Sequence, residues 1–111
     1  MMKFTRGETF TTILLAASGE VTGAEVVTAS LKKARNGAVP GPTAPVMASF
    51  EVTFVAEILP SKKPGWHLTI PAAVSDTLTP GDYVSDARVV MANGVIEYSP
   101  PNFITVEQRV T

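Results

Sequence analysis

Phe50-Glu51-Val52-Thr53-Phe54-Val55-Ala56-Glu57-Ile58 alternates, residue by residue, between a wholly apolar set and a mostly polar one. Side chains of an extended chain point to opposite faces in turn, so this segment reads as a strand with Phe50, Val52, Phe54, Ala56 and Ile58 facing a core. Trp66, Leu68 and Ile70 alternate with His67 and Thr69 in the same way. In Tyr83–Met91 one face carries Tyr83, Ser85, Ala87 and Val89, and the other Val84, Asp86, Arg88 and Val90. Apolar residues on both faces place that strand near the middle of a sheet. Phe10, Thr12 and Leu14 give a first strand, Val27, Ala29 and Leu31 a second, and Ile104 and Val106 a last.

The punctuation agrees. Asn93-Gly94 between two β-rich runs predicts a type I′ hairpin, since both central positions of that turn need positive φ. Pro64-Gly65 and Pro80-Gly81 each open a strand, and Pro100-Pro101 interrupts the chain before the final one. Pro71–Leu78 is the one helical candidate, a turn or two that stops before Pro80. About seven short strands with turn signals between them predict an all-β, antiparallel sandwich with one short helical crossover. A small open barrel is the competing architecture. Residues 1–111 read as a single domain, without internal repeat, and 38–45 as a Pro-rich arm or loop.

The 111 residues suffice to bury a core without staples, and no cysteine is present to form one. Disulfide frameworks, zinc ribbons, iron–sulfur sites and cysteine nucleophiles are excluded. Nine Lys and Arg against ten Asp and Glu leave a net charge of −1, so nucleic acid is not an expected partner. Charged residues make up 17% of the chain, below the roughly 25% of an ordinary soluble domain. So weakly charged a surface predicts cover by partner proteins. Ile13–Ala17 is too short and too poorly flanked for a signal peptide or membrane span, so a cytosolic origin is expected and no membrane partner.

Few residues could carry chemistry. His67, the single histidine, falls on the outward face of its strand, away from any orienting carboxylate. Asp76, Asp82 and Asp86 match no calcium-loop spacing, and Asp82 sits in a Pro-Gly-Asp turn where aspartate bonds its own backbone. Arg88 shares a face with Asp86 and is expected in a surface ion pair. Lys32, Lys33 and Arg35, like Lys62 and Lys63, read as charged strand ends that discourage edge pairing rather than as a phosphate grip. Trp66 is either core, as its alternation favours, or a sugar-stacking platform. Gly19 and Gly23 flank turns and form no phosphate-cradling motif. The expectation is no enzyme, no cofactor, no metal and no small-molecule substrate.

Several short phrases follow one another along the chain: Arg6-Gly7-Glu8-Thr9-Phe10, then Val21-Thr22-Gly23 leading into Val26–Lys33. Ile70-Pro71-Ala72-Ala73 through Leu78-Thr79-Pro80-Gly81-Asp82-Tyr83 follows, then Asp86, Asn93-Gly94 and Val106–Thr111. Taken in order, these phrases resemble those of small Ig-like structural proteins of tailed bacteriophages. Two departures stand out: Ala87 replaces a larger apolar residue, and Val39–Pro45 is a longer insert. The resemblance implies an Ig-like sandwich acting as an assembly, adaptor or decoration module of tail, baseplate, fibre or capsid. Its partners would be other virion proteins in a many-copy symmetric assembly, its place the virion, assembled in the host cytoplasm. A carbohydrate-binding module recognising a host surface glycan is the alternative. Val39, Pro40, Pro42, Pro45 and Val46 are the expected partner-binding residues, because prolines restrict the unbound segment and lower the entropy lost on docking. A stiff surface turn is the other reading of that segment.

Overall fold

A computed structural model describes residues 2–16 and 21–111. Among the described residues, nine strands and one four-residue helix follow in the order β1 (Met2–Thr5), β2 (Phe10–Leu15), β3 (Val26–Lys33), β4 (Val46–Ser49), β5 (Glu51–Ile58), β6 (Lys63–Ile70), α1 (Ala72–Ser75), β7 (Gly81–Val90), β8 (Ile96–Tyr98) and β9 (Asn102–Glu107). Two sheets face each other. The larger runs β1-β9-β7-β3-β4, with β8 also paired to β7, and the smaller runs β2-β6-β5. This is an all-β, Ig-like sandwich.

The alternation in the sequence carries over into the structure. Phe50, Trp66, Leu68, Ile70, Tyr83, Ala87 and Val89 are buried in one cluster with Leu31, Leu78, Ile104 and Val106, and Phe54 packs against it half-buried. Ala56 departs from the pattern and is exposed, where the pairing of β5 with β6 shifts register between Val55 and Ile58. Each fully buried Leu or Ile in the cluster contributes about 1.5–3 kcal/mol relative to exposure. The Phe4 and Phe10 rings stack at 4.6 Å, and Phe54 meets Trp66 edge-on at 6.0 Å. β7 lies in the middle of its sheet, between β3 and the last two strands. Close approach settles Gly65, in the middle strand of the small sheet. A Cβ there would run into the Leu14 carbonyl and lie 2.9 Å from Ile58 Cδ1, so only glycine lets β2 and β5 close over it.

Four further details differ from the expectation. β1 pairs with β9 in parallel, Met2 opposite Ile104 and Thr5 opposite Glu107, so the sandwich is not wholly antiparallel. The type I′ turn lies at Asn36-Gly37, with φ of 53° and 77°, where Arg35 and Ala38 exchange both backbone bonds. At Asn93-Gly94 only Gly94 has positive φ (89°). Its N–H reaches the Met91 carbonyl at 2.9 Å, and Met91 N–H reaches the Val95 carbonyl at 2.8 Å. That is a type I turn closed by a left-handed glycine, in which Asn93 turns its Oδ1 to the Val95 N–H instead of adopting positive φ itself.

Pro100-Pro101 does fall just before the final strand, and the third difference is that β8 and β9 both pair with β7 on either side of it. Arg88 faces Tyr98 while Ser85 faces Asn102, so one extra residue is accommodated between β8 and β9. Proline has no N–H for the ladder, and Ser99 compensates: its Oγ accepts from Ala87 N–H at 2.8 Å and its own N–H donates to Ala87 C=O at 2.9 Å. The fourth is the helix, which covers Ala72–Ser75 only, before Thr77 and Leu78 tighten into three-residue turns. The crossover ends in a tyrosine corner: the buried Tyr83 hydroxyl donates back to the Thr79 carbonyl at 2.6 Å.

Candidate functional site

Of the five residues expected to meet a partner, Val39, Pro40, Pro42 and Pro45 belong to the connection between β3 and β4, and Val46 opens β4. The connection's Asn36-Gly37 turn sends the chain back, and a second turn, closed by Ala44 N–H on the Gly41 carbonyl at 3.1 Å, folds it over the outer face of the larger sheet. Lys32 Nζ pins it there, donating to the Gly41 and Pro42 carbonyls at 3.3 and 3.0 Å. Val39, Pro40 and Pro42 line a hollow with Val84 and Pro101. Val84 is thereby 4% exposed although it points away from the core. The segment is a flap on its own sheet and not a projecting arm.

Its other side is open. Val39, Pro42, Pro45 and Val46 are exposed, and Met47 continues the strip along β4. Pro40 is half-buried. Four of the five named residues are thus exposed and the fifth is partly buried.

A second grouping had no local signal, because its members lie far apart in sequence. Asp76, at the end of α1, faces two guanidiniums: Arg109 Nη1 lies 2.9 Å from Oδ1, and Arg6 Nη2 donates to the Asp76 carbonyl at 2.5 Å. Arg6 Nη1 also reaches Gln108 Oε1 at 3.3 Å. Alongside, Gly7 N–H donates to Ser75 Oγ at 2.9 Å, and that hydroxyl donates to the Glu8 carbonyl at 2.7 Å. The loop after β1, the crossover and the tail after β9 are thus bound together at one end of the sandwich.

The remaining candidates disperse. Asp76 is held by arginines, Asp82 accepts from Thr105 Oγ1 at 2.9 Å, and Asp86 is exposed on β7. Among the described residues no three His, Cys, Asp or Glu side chains gather as metal ligands. His67 is exposed on the outer face of β6. Arg88 forms no ion pair among the described residues, because Thr28 and Tyr98 stand opposite it on the flanking strands. Trp66 is 3% exposed, a core residue with no free stacking face. Gly19 falls outside the described residues, and Gly23 lies against the Phe54 ring.

Glu25 was not anticipated. Its nearly buried carboxylate accepts from Thr22 N–H at 3.2 Å and Gly23 N–H at 2.9 Å, which holds the turn before β3. Burial raises its pKa, but these hydrogen bonds together outweigh burial and leave it below the ordinary value of 4.5. A further feature is an open hollow of about 240 Å³ between the sheets, walled by Leu14, Val21, Trp66, Val89 and Tyr98 with Glu97 at its rim. No helix among the described residues is long and apolar enough to cross a membrane.

No family model and no curated protein matches the chain. Among solved structures, CopC from Methylosinus trichosporium OB3b superposes with a TM-score of 0.53 at 18% identity, over 99% of this chain and 86% of its own. Murine CRIg superposes over 97% and 91% of the two chains with a TM-score of 0.42 at 10% identity. The likeness to CopC shows the fold alone.

Proposed function

We propose that this Ig-like domain is a non-enzymatic structural module of a tailed-bacteriophage particle, an assembly, adaptor or decoration unit. The observation that supports this reading is the exposure of the apolar residues Val39, Pro42, Pro45, Val46 and Met47 on the flap and the strand that follows it, with the flap tied down to its own sheet. A preformed apolar surface loses little entropy on docking, which suits a unit that must seat identically in many copies. The order of the phage-like phrases adds support, since Arg6-Gly7-Glu8, the crossover and the tail after Val106 join in one bonded cluster. Its partners are then other virion proteins and its place the virion, whether tail, baseplate, fibre or capsid. The glycan-binding alternative is less favoured, because Tyr98 is the one exposed aromatic ring among the described residues.

The test is a particle inventory by mass spectrometry and cryo-EM, with a tagged wild-type chain and its Val39→Glu variant. The expected result is a sandwich-shaped density in repeated copies, lost in the variant while the isolated variant still folds. Wild-type protein found only outside particles overturns the proposal.

A further inference from the structure

β4 closes one side of the larger sheet, and no strand lies along its outer edge among the described residues. Val46-Met47-Ala48-Ser49 carries no charge, and Val46 and Met47 are 53% and 43% exposed. An edge of that kind is a template for another strand unless something guards it. Three other free edges among the described residues are guarded. β5 has Glu51 and Glu57 and a register shift between Val55 and Ile58. β1 presents Lys3, paired with Glu107, and β8 is three residues long and contains Glu97. β2 is uncharged as well, so charge at the strand ends decides for β4.

Charge then selects the occupant. Lys33 and Arg35, both exposed, stand at the Pro45 end of β4, where they line one hollow with Pro45 and Met47. Glu51, also exposed, follows the other end. A second β4 laid alongside in parallel would set the basic ends together. Laid antiparallel about a two-fold axis between Met47 and Ala48, it sets Val46 opposite Ser49 and brings the Glu51 end of each copy toward the Lys33 and Arg35 end of the other. Such a contact is self-complementary, as a closed dimer requires.

We infer that β4 is the pairing edge of a symmetric dimer of this chain, which joins the two larger sheets into one continuous sheet. The inference goes beyond the virion reading and stands or falls separately from it, since it concerns the purified chain alone. It is tested by sedimentation velocity of the full chain across a concentration series. The wild type is expected to pass from monomer to dimer. Met47→Lys, at an exposed position, should weaken that association by at least about tenfold, through edge charge. Glu51→Lys should weaken it similarly, and Glu51→Lys combined with Lys33→Glu and Arg35→Glu should restore it. Circular dichroism melts confirm that each variant is folded. A wild type that stays monomeric at every concentration overturns the inference. So does a dimer indifferent to Met47→Lys, or a charge swap that fails to restore pairing.

Discussion

Tyr83 carries more of the fold than its sequence position announces. Its ring belongs to the core, and its hydroxyl satisfies the Thr79 carbonyl at the turn into β7. Tyr83→Phe keeps the ring and removes that part-buried hydrogen bond, so urea unfolding should show a loss of about 1 kcal/mol. Glu25 acts through its charge. Because its folded pKa lies below the ordinary 4.5, the carboxylate binds its proton more readily when unfolded. Its contribution is therefore full above pH 4.5 and drains away as the pH falls through the lower, folded value. Melting temperature should drop on acidification through that window. In Glu25→Gln, which has no proton to gain, the drop should be smaller, as paired melts across pH would show.

At the scale of elements, strands with one buried face were legible and turns were legible only in kind. β5, β6 and β7 sit where period two put them, because each presents large apolar residues to the core at alternate positions. β4 has no such pattern: only Ala48 is buried, so Val46 reads as a continuation of the Pro-rich segment. β1 escapes notice through its four-residue length, too short for alternation to show. Both Asn-Gly pairs contain the residues of a type I′ turn, and loop length chose between them. At Gly94 the space around a Cβ is empty, so a substitution there meets backbone strain and nothing else. Gly94→Val should cost on the order of 1–3 kcal/mol in thermal or chemical unfolding, and Gly94→Asn clearly less, since asparagine tolerates the left-handed region.

For the molecule as a whole, two facing sheets and a shared core follow from faces written into the sequence, whereas the candidate surfaces do not. The cluster of Arg6, Asp76 and Arg109 needs three distant segments brought together, which no local pattern encodes. The flap could be recognised as stiff from its prolines, but that it lies down on its own sheet depends on one lysine, Lys32, reaching back to it. The parallel pairing of β1 with β9 has a mechanical consequence. The chain enters at one end of β1 and leaves at the opposite end of β9, so tension on the two termini pulls these neighbours past each other lengthwise. Their hydrogen bonds then bear the load together, in shear, and cannot open in succession like a zipper. A module strung between two attachments would hold under traction until that whole patch fails at once.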